Sequence, residues 1–93
     1  MSIVVRHHPV SLTAEKYDAT TDRIEAAGLD WPPDGLDHHI CFGTYGSLNV
    51  SEIWDSREHW EAFSERLMPV LAEAGIEFSG EPEVFEVHSS TRR

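Results

Sequence analysis

Residues 36–56, LDHHICFGTYGSLNVSEIWDS, constrain the fold more than any other part of the chain. Two strand-forming runs flank TYGS, where Gly46 is free to take positive φ. A tight Tyr45–Gly46 loop makes this stretch a hairpin that pairs Thr44 with Ser47. Counting outward sets Cys41 opposite Val50, His39 opposite Glu52 and Asp37 opposite Trp54. Strand side chains alternate, so these residues share one face. Ile40, Phe42, His38 and Ile53 share the other, with Asn49 and Ser51. A loop from Gly43 to Leu48 keeps the same pairing, whereas a one-residue bulge breaks it.

The rest of the chain supplies partners for this hairpin. SIVVRHH is short and β-branched, which favours a strand that Pro9 ends. SLTAEKYDATTDRIEAAGL reads as a helix capped by Thr13 or Ser11 and stopped at Gly28. Tyr17, Thr20 or Thr21, Ile24 and Ala27 give it an apolar stripe. DWPPDG is a loop, because its prolines lack backbone N–H donors, and Trp31 in it packs over the core or over a partner subunit. DSREHWEAFSERLMPVLAEAG is the strongest helix, capped by Ser56 or Asp55. Its stripe runs through Trp60, Phe63, Leu67, Val70, Leu71 and Ala74. Pro69 should kink or break it near Met68. EVFEVHSS is a last strand, before a short STRR tail.

Strand, helix, strand, strand, helix, strand is the ferredoxin-like βαββαβ order, an α+β fold with an antiparallel sheet. With 93 residues, the chain is expected to form a single domain over 1–93. So small a domain buries a limited share of its surface, and a homodimer would bury more. The face with Ile40, Phe42 and Ile53 carries the larger aliphatic and aromatic groups and is expected under the helices. The mixed face with His39, Glu52 and Trp54 is then left open, where two packed sheets would enclose a cavity.

The formal net charge of −10 and the lack of a basic stripe argue against nucleic acid and against an anionic membrane surface as partners. The only cysteine, Cys41, rules out an internal disulfide and cysteine-rich zinc motifs. MSIVVRHHPV holds an apolar run too short for a signal-peptide core, so a cytoplasmic location is expected.

The element order together with SEIWDSREHWEAF resembles the dimeric α+β barrel superfamily, nearest to its antibiotic-biosynthesis monooxygenase-like domains. The motif is a tryptophan ending the third strand, a small polar cap and an aromatic-rich helix: Trp54, Ser56, Trp60 and Phe63. The resemblance spans almost the whole chain. It implies a homodimer with a cavity between sheet and helices or at the dimer interface. It also implies a range of activities that includes cofactor-independent oxygenases of polyketide-like phenols, haem-degrading enzymes, isomerases, decarboxylases and cyclases. The oxygenases and haem degraders pair such a tryptophan with an asparagine on the first strand. Here that strand reads VVRHHP, with Arg6, His7 and His8 and no asparagine.

The candidate chemistry centres on His39 opposite Glu52. A carboxylate beside an imidazole fixes its tautomer and raises its basicity, as proton abstraction from a phenol or enol requires. The same pair also fits a plain cross-strand hydrogen bond. Trp54 is expected as a wall of the substrate site, with His7, Asp37, Cys41 and Val50 around it. Trp60 reads as core and His38 as structural. No metal is expected: the six histidines show neither H-x-H nor H-E-x-x-H spacing. Cys41 shares a face with His39, but no orienting third group is readable, so it reads as an inert thiol. The expectation is therefore a small-molecule enzyme with no cofactor acting on a small aromatic or polyketide-like substrate. The alternatives are a non-catalytic ligand-binding or structural dimer, and a haem-binding protein.

Overall fold

The computed structural model describes residues Met1 to Arg93. The elements run β1 (Ile3–His7), α1 (Ala14–Ala26), β2 (Leu36–Thr44), β3 (Ser47–Trp54), α2 (Arg57–Glu73) and β4 (Glu83–Glu86). They form an antiparallel sheet in the order β2-β3-β1-β4, the ferredoxin-like arrangement. No helix is long and apolar enough to cross a membrane.

Local chemistry sets most of the boundaries. Thr13 caps α1 by accepting from the Lys16 N–H at 3.1 Å, and Ser56 caps α2 by accepting from the His59 N–H at 3.2 Å. The hairpin turn is Tyr45–Gly46, with Gly46 at φ 85° and Thr44 paired to Ser47. Of the kink or break expected near Met68, the break does not occur: α2 runs through Pro69 to Glu73. Proline removes only one donor from the helix, and Val70, one residue later, is buried. β4 is shorter than EVFEVHSS predicts, because pairing to β1 stops at Glu86 opposite Ile3.

The register places His39 opposite Glu52 and Cys41 opposite Val50. It does not place Asp37 opposite Trp54. A bulge between Leu36 and His38 puts Leu36 there instead and leaves Asp37 as the unpaired extra residue. The Asp37 side chain is half exposed, 3.9 Å from Arg92, and does not belong to the site.

The covered face is the reverse of the one expected. Ile3 and Val5 from β1, Trp54 from β3 and Phe63 from α2 form the buried cluster, so the face with Glu52 and Trp54 lies under the helices. Ile40, Phe42 and Phe85 lie on the uncovered face and are 45%, 40% and 52% exposed. Aliphatic size on the hairpin alone misled the assignment. The central strand β1 decides it, through Ile3 and Val5, which pair with Trp54 and Glu52. Only ten residues are buried, so one thin core lies under two helices, and the other sheet face, with Ile40, Phe42 and Phe85 among polar residues, stays uncovered.

Candidate active site between sheet and helices

Three strands converge on Glu52. It projects from β3 toward the helices and is buried. His39 lies directly across on β2, and its Nδ1 is 2.6 Å from Glu52 Oε2. Trp54, two residues along the same strand, donates its indole N–H to Glu52 Oε1 at 3.1 Å. His7 on β1 is diagonal to Glu52, with Nε2 at 3.4 Å from Oε1. Burial pushes the carboxyl pKa up. Hydrogen bonds from His39 and His7, and the charge on those rings, outweigh burial and hold it at about 2. Glu52 is therefore an anion at neutral pH and acts as an acceptor, so His39 Nδ1 carries the hydrogen between them.

The other nitrogen of His39 is also engaged. Tyr17, in the first turn of α1, brings its hydroxyl to 2.7 Å from His39 Nε2. Burial, followed by the nearby Cys41, Glu52 and Asp18, raises the Tyr17 pKa, which keeps the phenol protonated. In its neutral form the His39 ring donates from Nδ1 to Glu52 and accepts at Nε2 from the Tyr17 hydroxyl. Trp31 closes the group, edge-on to His39 with centroids 5.0 Å apart. No buried side-chain nitrogen or oxygen in the chain lacks a hydrogen-bond partner.

This polar cluster forms one end of a cavity of about 480 Å³ between the sheet and both helices. The rest of the wall is largely apolar: Leu12 and Ile24 on one side, Trp60, Phe63, Leu67 and Leu71 on the other, and Phe78 near the chain's last loop. No lysine or arginine lines it. Its size and its largely apolar wall with a few polar groups match the usual make-up of a small-molecule site.

The candidate residues separate clearly. His39, Glu52, His7 and Val50 all line the cavity. Trp54 does not. It is 1% exposed, packs on Phe63 at 5.8 Å between centroids and acts on the site only through its bond to Glu52. The wall position expected of Trp54 belongs to Trp31 and Trp60, the latter expected as core. Cys41 lies on the same sheet face outside the lining, and burial, then Asp18, pushes its thiol pKa up. Tyr17 was legible only as part of a helical stripe. The hydroxyl on that stripe was the one available signal that it could do more than pack. No group of three His, Cys, Asp or Glu side chains is arranged to hold a metal ion.

No protein-family model and no curated protein matches the chain. Solved structures do match over nearly its full length. MupZ from Pseudomonas fluorescens superposes with a TM-score of 0.66 at 10% identity, over 99% of this chain and 94% of that one. SnoaB from Streptomyces nogalater, a cofactor-independent oxygenase, gives 0.61 at 13% identity, over 99% and 96%. A provisionally assigned antibiotic biosynthesis monooxygenase from Chloroflexus aurantiacus gives 0.60 at 13% identity, over 98% and 95%. Identities this low speak to architecture alone: the chain has the ferredoxin-like α+β fold that these three proteins share.

Proposed function

We propose that this protein is a homodimeric enzyme that binds a small aromatic or polyketide-like molecule in the cavity. It promotes loss of a proton from a phenol or enol, using no metal or organic cofactor. The observation that carries this reading is the His39–Glu52 pair, 2.6 Å apart, in the wall of a largely apolar cavity. A buried anion fixes the His39 tautomer and favours the imidazolium that forms when the ring takes up a proton. His7 and Val50 contribute to the binding wall. Support for chemistry without a cofactor comes from SnoaB, a cofactor-independent oxygenase of the same fold. Dimerisation is proposed through the uncovered sheet face, where Ile40, Phe42 and Phe85 would otherwise remain wet.

The test incubates wild type and His39→Ala with 1-naphthol, 1,5-dihydroxynaphthalene and 2-tetralone in D2O under air. Mass spectrometry reads deuterium gained by proton transfer and oxygen gained by oxygenation in one experiment. Wild type should accelerate at least one change over buffer, and H39A should bind the compounds yet run at the buffer rate. Wild-type rates equal to buffer would count against the proposal, as would an H39A enzyme as fast as wild type. A plain binding or structural dimer would instead show H39A lowering Tm with no turnover to lose.

A further inference from the structure

His39 has no nitrogen left for a substrate. Its Nδ1 is committed to Glu52 at 2.6 Å and its Nε2 to Tyr17 at 2.7 Å. The Tyr17 oxygen gives its hydrogen to His39 and keeps lone pairs, and the ring that bears it lines the cavity. From this geometry, and resting on the proposal that the cavity is the substrate site, we infer that Tyr17 Oη is the catalytic atom and that His39 and Glu52 act through it. A substrate hydroxyl donates its proton to Tyr17 Oη as the Tyr17 proton passes to His39 Nε2. The substrate is left as an oxyanion, and His39 becomes an imidazolium whose Nδ1–H faces the Glu52 carboxylate. Charge is conserved within the site, and the reverse transfer returns the proton to a product.

Three further features fit this order. The raised pKa of Tyr17 keeps its hydroxyl protonated, so it passes a proton on rather than waiting as a phenolate. α1 holds the residue firmly, because Tyr17 lies one turn past the Thr13 cap and its backbone N–H donates to the Thr13 carbonyl at 2.9 Å. The wall has no lysine or arginine and holds two acidic residues, the buried Glu52 anion and Glu81, so it disfavours an anionic ligand and fits a neutral one entering with a hydroxyl toward Tyr17.

The experiment compares binding of 2-naphthol, 2-methoxynaphthalene and 2-naphthoate to wild type and Tyr17→Phe, by tryptophan fluorescence and calorimetry. Wild type should prefer 2-naphthol over its methyl ether by about fivefold, the worth of one neutral hydrogen bond, and should reject the carboxylate. Y17F should bind both neutral compounds equally, at the affinity wild type has for the ether. In wild type alone, the 13C resonance of Tyr17 Cζ should move with 2-naphthol and not with the ether, a readout that does not depend on the variant folding. A Y17F protein that prefers 2-naphthol as strongly as wild type, or a still Cζ resonance, overturns the assignment and leaves the cavity reading standing. Failure of both neutral compounds to bind wild type overturns the cavity reading and this inference with it.

Discussion

Replacing Glu52 with glutamine keeps the shape of the side chain and removes its charge. In the native protein, that carboxylate receives the Trp54 N–H at 3.1 Å and the His39 N–H at 2.6 Å, with His7 at 3.4 Å. Glutamine offers one acceptor oxygen and turns an N–H toward a donor, so one partner loses its bond. The carboxyl falls from an ordinary value of 4.5 to about 2, and that fall corresponds to about 3 kcal/mol of folding stability at neutral pH. A similar size is expected from breaking a buried charged pair by removing one partner. The sign follows from the depressed folded-state value. The contribution is complete above pH 4.5, where the unfolded carboxyl is ionised too, and is lost as pH falls from there through 2. Urea unfolding of wild type and E52Q at fixed protein concentration should show a gap of about 3 kcal/mol at pH 7 that shrinks to half or less by pH 3. A gap that stays constant over that range would refute the reasoning, because the loss would then come from shape and not charge.

Other expectations follow from the same coordinates. Phe42→Glu with Ile40→Lys should convert a dimer to a monomer by analytical ultracentrifugation while leaving the cavity intact, because both residues lie on the uncovered face. Phe63→Ala should cost about 3–5 kcal/mol in urea unfolding, since its ring packs on both Trp54 and Trp31. Gly35→Ala should destabilise by more than about 1 kcal/mol, because Gly35 has φ +84° and a Cβ there would overlap the His59 ring. Cys41 should alkylate with iodoacetamide more slowly than free cysteine at pH 7.5, since burial and Asp18 hold its thiol protonated.

The sequence was most informative where local rules act alone. The Tyr45–Gly46 turn and period-two alternation were enough to set His39 against Glu52, because nothing irregular intervenes between the turn and that pair. They failed one step further out. The bulge at Asp37 has no signature in the residue types, and it removes Asp37 from the site by a single-residue shift. The covered face was misjudged because Ile40 and Phe42 are large. Size alone does not separate a face under helices from one they leave uncovered. A better guide was β1, whose Ile3 and Val5 share a row with Trp54 and Glu52 across the sheet centre. The same error moved Trp54 from core to wall, since a tryptophan at a strand end suits either place. Tyr17 was missed for a different reason. Its helical spacing was plain, but which strand residue it meets depends on how α1 lies over the sheet, a tertiary contact between residues 17 and 39.

The most direct measurement is a crystal structure of the protein grown with 2-naphthol. The account predicts the naphthalene rings between sheet and helices, against Trp31 and Phe63, with the ligand hydroxyl in hydrogen-bond contact with Tyr17 Oη and His39 still bonded to both Tyr17 and Glu52. A ligand seated on the open side of the sheet, or one bonded directly to His39 with Tyr17 turned aside, would contradict it.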